Sequence, residues 1–309
     1  MVTRRLVRSS SPALAGLEWP VFEASGASDR PRACLLAGVH GCEYSSIAAV
    51  VAFMRALDVS ELLGSIVAVP IVSPTSFWAR SPFVVPEDGR NLNRAFPGDP
   101  NGSFTDVVAH HVFSEFVTGS DVLIDLHGGD MVEALEPFAL YDDSGVRQRS
   151  ERLARAFGLR YVVCDTTDTL GGTTSAAAAA AGIASFIAEA GGRGLLERTE
   201  VERHGRGLRS ALRAADVLDG EPDPPLQGQQ LVERFLWLRT TAGGWWQPAV
   251  EVGEIVAAGE RLGTVLDGFG EVIDTITAPE TGVPLFLTSS PAVQPGGLLL
   301  GLGAGLREF

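Results

Sequence analysis

Two apolar segments of the sequence each end in a histidine that is followed by glycine. Residues 33–37 form an apolar run that leads into Gly-Val-His40-Gly, and the apolar-rich residues 121–126 lead into His127-Gly-Gly. Short apolar runs bounded by glycine are typical of buried strands in a sheet covered on both faces. Because sites in open α/β sheets form at the carboxyl ends of the strands, we expect both imidazoles to lie at that edge.

A glutamate close to the first histidine completes a set of metal ligands. Glu43 lies three residues after His40, and the glycines that flank this histidine permit a sharp turn. The Glu43 carboxylate can therefore swing back beside the imidazole. Two imidazoles and a carboxylate suit zinc, and three protein ligands with one open position are typical of a catalytic site. We predict one Zn²⁺ per chain, bound by His40, Glu43 and His127; the alternative is two unrelated histidines at strand ends.

A second glutamate ends a later apolar segment. Residues 183–190 are predicted to form a buried strand, and Glu189 lies near its end. A carboxylate in these surroundings is costly unless it is paired, hydrated or linked to a metal. Catalytic carboxylates are found in such places because burial raises their pKa. Glu189 is therefore a candidate catalytic residue; the structural alternative is an ion pair with Arg193.

Two further motifs stand between and after the histidines: Asn91-Leu-Asn-Arg-Ala-Phe-Pro-Gly and Phe-Ile-Ala-Glu189-Ala-Gly-Gly. Together with Gly-Val-His-Gly-Cys-Glu and Asp-Leu-His-Gly-Gly, and in this order, they resemble the succinylglutamate desuccinylase/aspartoacylase family of the zinc carboxypeptidase (M14-like) superfamily. The resemblance covers about residues 30–195. It implies an α/β fold with a mixed, mostly parallel sheet flanked by helices, and it implies that Glu189 is the general base.

The resemblance also implies which residues bind the substrate. The Asp-Leu-Asn-Arg motif of that family grips a substrate carboxylate, and its last two residues correspond to Asn93 and Arg94. The leading aspartate of the motif is Asn91 here. A further arginine in the preceding loop assists at the oxyanion in the family, and Arg80 is the candidate for that role, with Arg90 behind it as a substrate-binding residue.

Beyond a proline-rich break the chain changes character. We predict a hydrolase domain over residues 1–220, a stiff linker over 221–230 and a small all-β domain over 231–309, where β-prone segments alternate with glycine turns. Phrases such as Val-Gly-Glu-Ile-Val at 252–256 resemble the biotinyl/lipoyl-type β-sandwich that many family members carry. Residues 231–303 contain no lysine, so a covalently attached cofactor is excluded there.

Two local expectations concern less distinctive segments. Residues 73–103 are rich in proline, glycine, asparagine and aspartate, which predicts a long loop, and loops of that length are usually functional. Residues 195–218 are predicted to form a long, highly charged helix, with His204 on its exposed face.

Composition and charge exclude some partners. With 309 residues, 45% of them hydrophobic, the chain can bury a sizeable core. A net charge of −14 argues against nucleic acid and against anionic membranes, and no apolar run reaches transmembrane length. Three scattered cysteines fit a reducing compartment, so we predict a cytoplasmic protein. A homo-oligomer is compatible with the sequence.

These expectations combine in one function with two alternatives. The first is a zinc-dependent amidohydrolase that removes a small acyl group, acetyl- or succinyl-like, from an N-acyl amino acid. The second is a metallocarboxypeptidase acting on a peptide C-terminus, which predicts an open groove. The third is a non-catalytic binding protein, against which the complete set of ligands and base argues.

Overall fold

The computed structural model of the protein describes residues 1–166 and 170–309. The strands are β1 (Thr3–Val7), β2 (Trp19–Ser25), β3 (Arg32–Ala37), β4 (Ser65–Val69), β5 (Val122–His127), β6 (Glu133–Leu135), β7 (Phe138–Asp142), β8 (Tyr161–Asp165), β9 (Ala184–Glu189), β10 (Gln230–Arg239), β11 (Gly244–Pro248), β12 (Arg261–Leu266), β13 (Val272–Thr277), β14 (Gly282–Thr288), β15 (Ala292–Val293) and β16 (Leu298–Glu308). The α-helices are α1 (Tyr44–Ala56), α2 (Pro74–Ala79), α3 (Phe104–Val112), α4 (Arg147–Ala156), α5 (Thr174–Ala180) and α6 (Arg198–Ala214).

Most of the strands form one mixed sheet with helices on both faces. The sheet has twelve strands in the order β1-β2-β4-β3-β5-β9-β7-β8-β10-β16-β14-β6. Its middle is parallel, since β3 pairs in parallel with both β4 and β5, and β5 pairs in parallel with β9. Successive side chains of β3 point to opposite faces of the sheet. Leu35 packs in the hydrophobic core with residues of α1, α4 and α6, and Leu36 packs in the core on the other face with residues of α3 and α5. The predicted mixed α/β fold is confirmed.

The C-terminal β-rich region contributes to two sheets. Strands β10, β16 and β14 continue the large sheet, because β10 pairs in parallel with β8 from Gln230 opposite Tyr161. Strands β13, β12, β11 and β15 form a separate four-stranded sheet, with antiparallel pairing throughout. The small β-rich region is therefore present, while the domain limits at residues 220 and 231 stay predictions.

The second half of the large sheet curves back on itself. Strand β6 follows β5 closely in the chain, yet it lies at the far end of the sheet, paired with β14. The backbone of β6 also bonds to the segment after β9: the Arg193 amide donates to the Glu133 carbonyl at 2.9 Å. A cavity beside the ends of β5 and β9 is therefore lined by residues from all seven strands of this half of the sheet, β9-β7-β8-β10-β16-β14-β6.

Two local expectations were wrong. The segment 73–103 is not a structureless loop, since it contains α2, which starts with Pro74, and a 3₁₀ turn at Leu92–Arg94. His204 is fully buried, because it lies on the same face of α6 as Leu208 and Ala211, and this face packs against the sheet. Its Nε2 lies 3.2 Å from the carbonyl oxygen of Ala190. Within the described residues, no helix is both long enough and apolar enough to cross a membrane.

Gly301 of β16 tests how tightly the curved half of the sheet is packed. A Cβ at this position would lie 2.4 Å from the Phe286 ring and 2.6 Å from the Phe235 ring. We expect Gly301→Ala to lower the free energy of unfolding by about 1–3 kcal/mol through overpacking, measured by urea denaturation. Gly205→Ala is the control, because this helical glycine has open space around it and alanine should stabilise α6 by about 0.5–1 kcal/mol. Equal effects of the two substitutions would contradict this packing.

Candidate active site

The ends of three neighbouring parallel strands bring the predicted metal ligands and Glu189 together. His127 is the last residue of β5 and pairs in register with Glu189, the last residue of β9. Strand β3 ends beside them at Ala37, and His40 follows in the turn that leads to α1. This turn passes directly under α2: a Cβ on Gly41 would lie 2.2 Å from the Phe77 amide nitrogen. The glycine is therefore required by the close approach of the two backbones.

Glu43 stands between the two histidines. Its Oε1 lies 2.6 Å from His40 Nδ1, and its Oε2 lies 3.0 Å from His127 Nδ1. One ligand atom from each of the three side chains lies within 4.8 Å of the others, and Glu43 and His127 are buried. Two imidazole nitrogens and a carboxylate oxygen fit a metal ion that accepts nitrogen and oxygen, as zinc does. The structure thus brings the three predicted ligands into one group that could hold a metal.

The other ring nitrogen of each histidine has a polar side chain within 3.1 Å. His127 Nε2 lies 3.1 Å from Oδ2 of Asp125, and His40 Nε2 lies 3.0 Å from Oδ1 of Asn91. Such partners fix the tautomer and the orientation of histidines that bind metals. Sequence reasoning missed Asp125, although a carboxylate two residues before His127 in an apolar strand must share its face. A carboxylate in an apolar strand is also the pattern that identified Glu189 as a candidate.

The ligand group is electrostatically balanced around Glu43. Burial alone would raise the pKa of Glu43, but the imidazoles of His127 and His40 lower it to about 2. Burial alone would lower the pKa of His127, but the carboxylates of Asp125 and Glu43 raise it well above its usual value. Glu43 is therefore ionised over the whole physiological range, as a carboxylate ligand must be.

Two more carboxyl groups, those of Glu189 and Glu133, line the cavity that contains the candidate metal ligands. Burial raises the pKa of Glu189 well above its ordinary value; the charge of His127 opposes this shift, and the carboxylates of Glu43 and Glu133 add to it. Burial likewise raises the pKa of Glu133, which the sequence analysis did not identify, to about 7. The site therefore holds acids that retain protons closer to neutral pH than ordinary carboxyl groups do.

Asn93 and Arg94, the candidate substrate-binding residues, both line the cavity. Asn93 is buried, and its Oδ1 accepts a hydrogen bond from the Thr174 amide at 3.2 Å. Burial lowers the pKa of Arg94, and the nearby charge of Glu189 raises it. Its Nη1 donates to the Asn93 carbonyl at 2.6 Å, and the other guanidinium N–H groups have no hydrogen-bond partner among the described residues.

Arg80 and Arg90 are not among the residues that line the cavity. Arg80 is exposed where α2 ends, in the left-handed region at φ 53°. Arg90 is also exposed, and its guanidinium bonds to Ser103 and Asp106. Their assigned roles stay predictions that this geometry does not support. Arg239 at the end of β10 lines the cavity instead, and nothing in the sequence near the motifs pointed to it.

The cavity extends from the candidate metal ligands to the C-terminal strands. Its volume is about 260 Å³. Ligand pockets commonly measure about 300–1,000 Å³, so this one suits a small molecule. The lining residues from the C-terminal region are Phe235, Trp237, Arg239, Phe286 and Leu298. The C-terminal region is therefore part of the site.

A loop carrying Phe83 covers the candidate metal ligands. Phe83 lines the cavity, and its ring meets the His40 ring edge-on at a centroid distance of 6.2 Å. Its amide donates to Oδ2 of Asp130 at 2.7 Å, and Asp130 is fully buried. The segment that follows β5 therefore fixes the position of this loop above the site.

Comparisons with known proteins identify relatives of this chain. The family model for the succinylglutamate desuccinylase/aspartoacylase catalytic domain matches residues 29–215. A curated relative, the N-alpha-acetyl-L-2,4-diaminobutyric acid deacetylase of Halomonas elongata, is 29% identical over 243 residues, which cover 77% of this chain and 71% of the relative.

Solved structures resemble the whole chain. A succinylglutamate desuccinylase/aspartoacylase of Rhodobacter sphaeroides superposes with a TM-score of 0.82 at 25% identity, covering 100% of this chain and 95% of the other. The product-bound ectoine utilization protein EutE (DoeB) of Ruegeria pomeroyi gives a TM-score of 0.86 at 22% identity, covering 98% and 95%, which shows a shared fold.

Asp125 provides a test of the ligand group that does not depend on activity. We expect Asp125→Asn to weaken Zn²⁺ binding by about 10–100-fold, because the imidazole of His127 loses its orienting carboxylate. Competition with a chromophoric chelator measures the dissociation constant. Asp121→Asn is the matched control, since this carboxylate bonds to Arg30 and to the Arg32 amide, ahead of the same strand. An unchanged affinity in Asp125→Asn would contradict the assignment.

Proposed function

Because the chain belongs to the succinylglutamate desuccinylase/aspartoacylase family, we propose that it is a zinc-dependent hydrolase that removes a small acyl group from an N-acyl amino acid. The observation that carries the proposal is the position of Glu43 between His40 and His127, with Glu189 free of this ligand group beside them. The name of the Halomonas elongata relative supports deacylation as the reaction class.

One Zn²⁺ per chain would be held by His40, Glu43 and His127. In such a site zinc polarises a carbonyl group and lowers the pKa of water towards neutrality. Asp125 and Asn91 hold the two imidazoles in the orientation that directs Nδ1 of each ring towards Glu43. The protein thus fixes the ligands before any substrate arrives.

Glu189 is suited to moving the proton of the hydrolytic water. As water attacks the amide carbon, the Glu189 carboxylate accepts a proton and later delivers it to the departing nitrogen. The C–N bond breaks, and the products are a carboxylate and an amine. Burial raises the pKa of Glu189 because it disfavours the charged form, so the Glu189 carboxylate is a stronger base than an exposed glutamate.

Arg94 and Asn93 are suited to holding the carboxylate of the substrate. A guanidinium offers two parallel donors to a carboxylate, which fixes the orientation of the bound group. Asn93 is already fixed by the Thr174 amide, so its NH₂ group can face the ligand. Both residues line the cavity that contains Glu189.

The dimensions of the cavity favour a small substrate over a peptide. A metallocarboxypeptidase needs an open groove, whereas here the C-terminal strands close one side of the cavity with Phe235, Trp237 and Phe286. A cytoplasmic location and a homo-oligomeric state remain predictions from the sequence.

Zinc content and amine release test the proposal directly. We expect about one zinc per chain by plasma mass spectrometry, and release of free amine from members of a panel of N-acetyl and N-succinyl amino acids. Chelation should abolish the release, and added Zn²⁺ should restore it. Release of C-terminal residues from peptides without amine release from the panel would favour the carboxypeptidase. Absence of both activities in the zinc-loaded protein would favour a binding protein.

Glu189→Gln separates proton transfer from metal binding. Glutamine cannot accept the proton, so we expect kcat to fall by about 10²–10⁴-fold while the zinc content is retained. Glu115→Gln is the control for loss of a negative charge, because Glu115 is exposed and outside the cavity. If Glu189→Gln keeps full activity, another group is the base, and Glu133 would be the next residue to replace.

A further inference from the structure

Away from the candidate metal ligands, the cavity has a wall of aromatic rings. Phe138 comes from β7, Phe235 and Trp237 from β10, and Phe286 from β14, and all four line the cavity. Phe235 and Trp237 are two residues apart on one strand, so both side chains point to the same face. We call these four residues the aromatic wall.

The rings of the aromatic wall hold each other in place. Centroids lie 5.8 Å apart for Phe138 and Phe235, 5.1 Å for Phe235 and Trp237, and 5.2 Å for Trp237 and Phe286. These distances are typical of favourable aromatic pairs, which lie about 4.5–7 Å apart. The backbone of Gly301 lies directly beneath two of the rings, so they pack against β16 without intervening side chains. The wall is therefore preformed.

The exposure of the rings changes along the wall. Phe138 and Phe286 are buried, with exposed fractions of 5% and 4%, whereas the exposed fraction of Trp237 is 36%. Leu140 and Leu298 extend the apolar surface around the rings. Beyond Trp237 on the same face, Arg239 marks the outer end, where its Nη1 donates to the Gly296 carbonyl at 3.0 Å. The cavity thus joins a polar end, with the candidate ligands, to an apolar interior.

An acetyl or succinyl group with a small polar amino acid would leave this apolar surface in contact with water. A substrate with an apolar group would cover it, and binding would gain from the burial of apolar area on both sides. Charged groups placed against the rings would lose hydration, which costs free energy unless a partner of opposite charge lies within reach.

We propose that the substrate carries a branched aliphatic or aromatic group that packs against the aromatic wall, while its carboxylate and scissile amide lie at the polar end. This inference rests on the proposed N-deacylase function, since it names the substrate class of that site. This apolar group is either the amino-acid side chain or the acyl part of the substrate. The two cases differ only in the side of the scissile amide on which the group lies.

Kinetics on matched substrates test the inference. The zinc-loaded enzyme is assayed with N-acetylphenylalanine and N-acetylleucine for the side-chain source, N-phenylacetylglycine for the acyl source, and N-acetylaspartate, N-succinylglutamate and N-acetyl-2,4-diaminobutyrate as polar competitors. We expect kcat/KM for at least one apolar substrate to exceed that of every polar one by about 10-fold or more. A higher value for a polar substrate would overturn the inference and leave the deacylase function standing.

Variants at Trp237 show whether the wall causes the preference. Trp237→Ala should raise KM for the apolar substrate by about 10-fold and lower the ratio of apolar to polar kcat/KM, whereas Trp237→Phe should restore most of the ratio. Trp245→Ala is the control, because Trp245 is 57% exposed on β11 and does not line the cavity. An unchanged ratio in Trp237→Ala would contradict a role of the wall.

If no substrate of the panel is hydrolysed, the proposed function has failed, and binding decides the inference separately. Calorimetric titration of the zinc-loaded protein with N-acetylphenylalanine and with N-acetylaspartate compares the two ligand classes without turnover. Tighter binding of the phenylalanine compound, lost in Trp237→Ala and kept in Trp245→Ala, would support the aromatic wall as its site. Equal affinities, or an effect of neither variant, would overturn it.

Discussion

The candidate site depends on the register of the parallel strands β3, β5 and β9. His127 and Glu189 end their strands opposite each other, and His40 and Glu43 follow the end of β3 beside them. Because side chains alternate along a strand, a slip of one residue would turn a terminal side chain to the other face of the sheet. The buried apolar residues of these strands resist that slip, since Leu35 and Leu36 of β3 pack against helices on opposite faces. Core packing thus fixes the geometry of the polar groups at the strand ends.

The buried carboxyl groups of the candidate site destabilise the folded state unless nearby positive charges compensate their negative charge. Glu43, Asp125, Glu133 and Glu189 bring four carboxyl groups into a small, largely buried volume, and burying a charge costs several kcal/mol unless it is paired. The two imidazoles compensate part of the charge of Glu43, and Arg94 compensates part of the charge of Glu189. A divalent cation held by His40, Glu43 and His127, as proposed above, would supply more. Departures of this kind from the rules of core packing are typical of functional sites.

The sequence predicted the parts of the site that are local. Each candidate metal ligand lies at the end of an apolar strand or shortly after it, so the short-range pattern was enough to identify it. The same reasoning applied to Asp125 would have found the carboxylate beside His127. It did not predict the curved half of the sheet, because β8 pairs with β10 across about seventy residues and β6 pairs with β14 across a still longer stretch. Pairing over such distances depends on the whole core and leaves no local signal. For that reason Glu133, Arg239 and the aromatic wall were missed. Arg80 and Arg90 were predicted as site residues from their position in the loop before the motif, but both are exposed and neither lines the cavity.

The continuity of the large sheet links the end of the cavity that holds the candidate metal ligands to its apolar end. Strand β10 bonds to β8 and strand β14 bonds to β6, so backbone hydrogen bonds join the C-terminal strands to the strands around the candidate metal ligands at two places. An interface between domains that move independently would let the aromatic wall drift relative to Glu189 and Arg94. A continuous sheet holds these groups at fixed distances, which is what a hydrolase needs to place an amide bond while it selects the group attached to it. Changes in the wall should therefore alter the choice of substrate while the ligands at the strand ends keep their geometry.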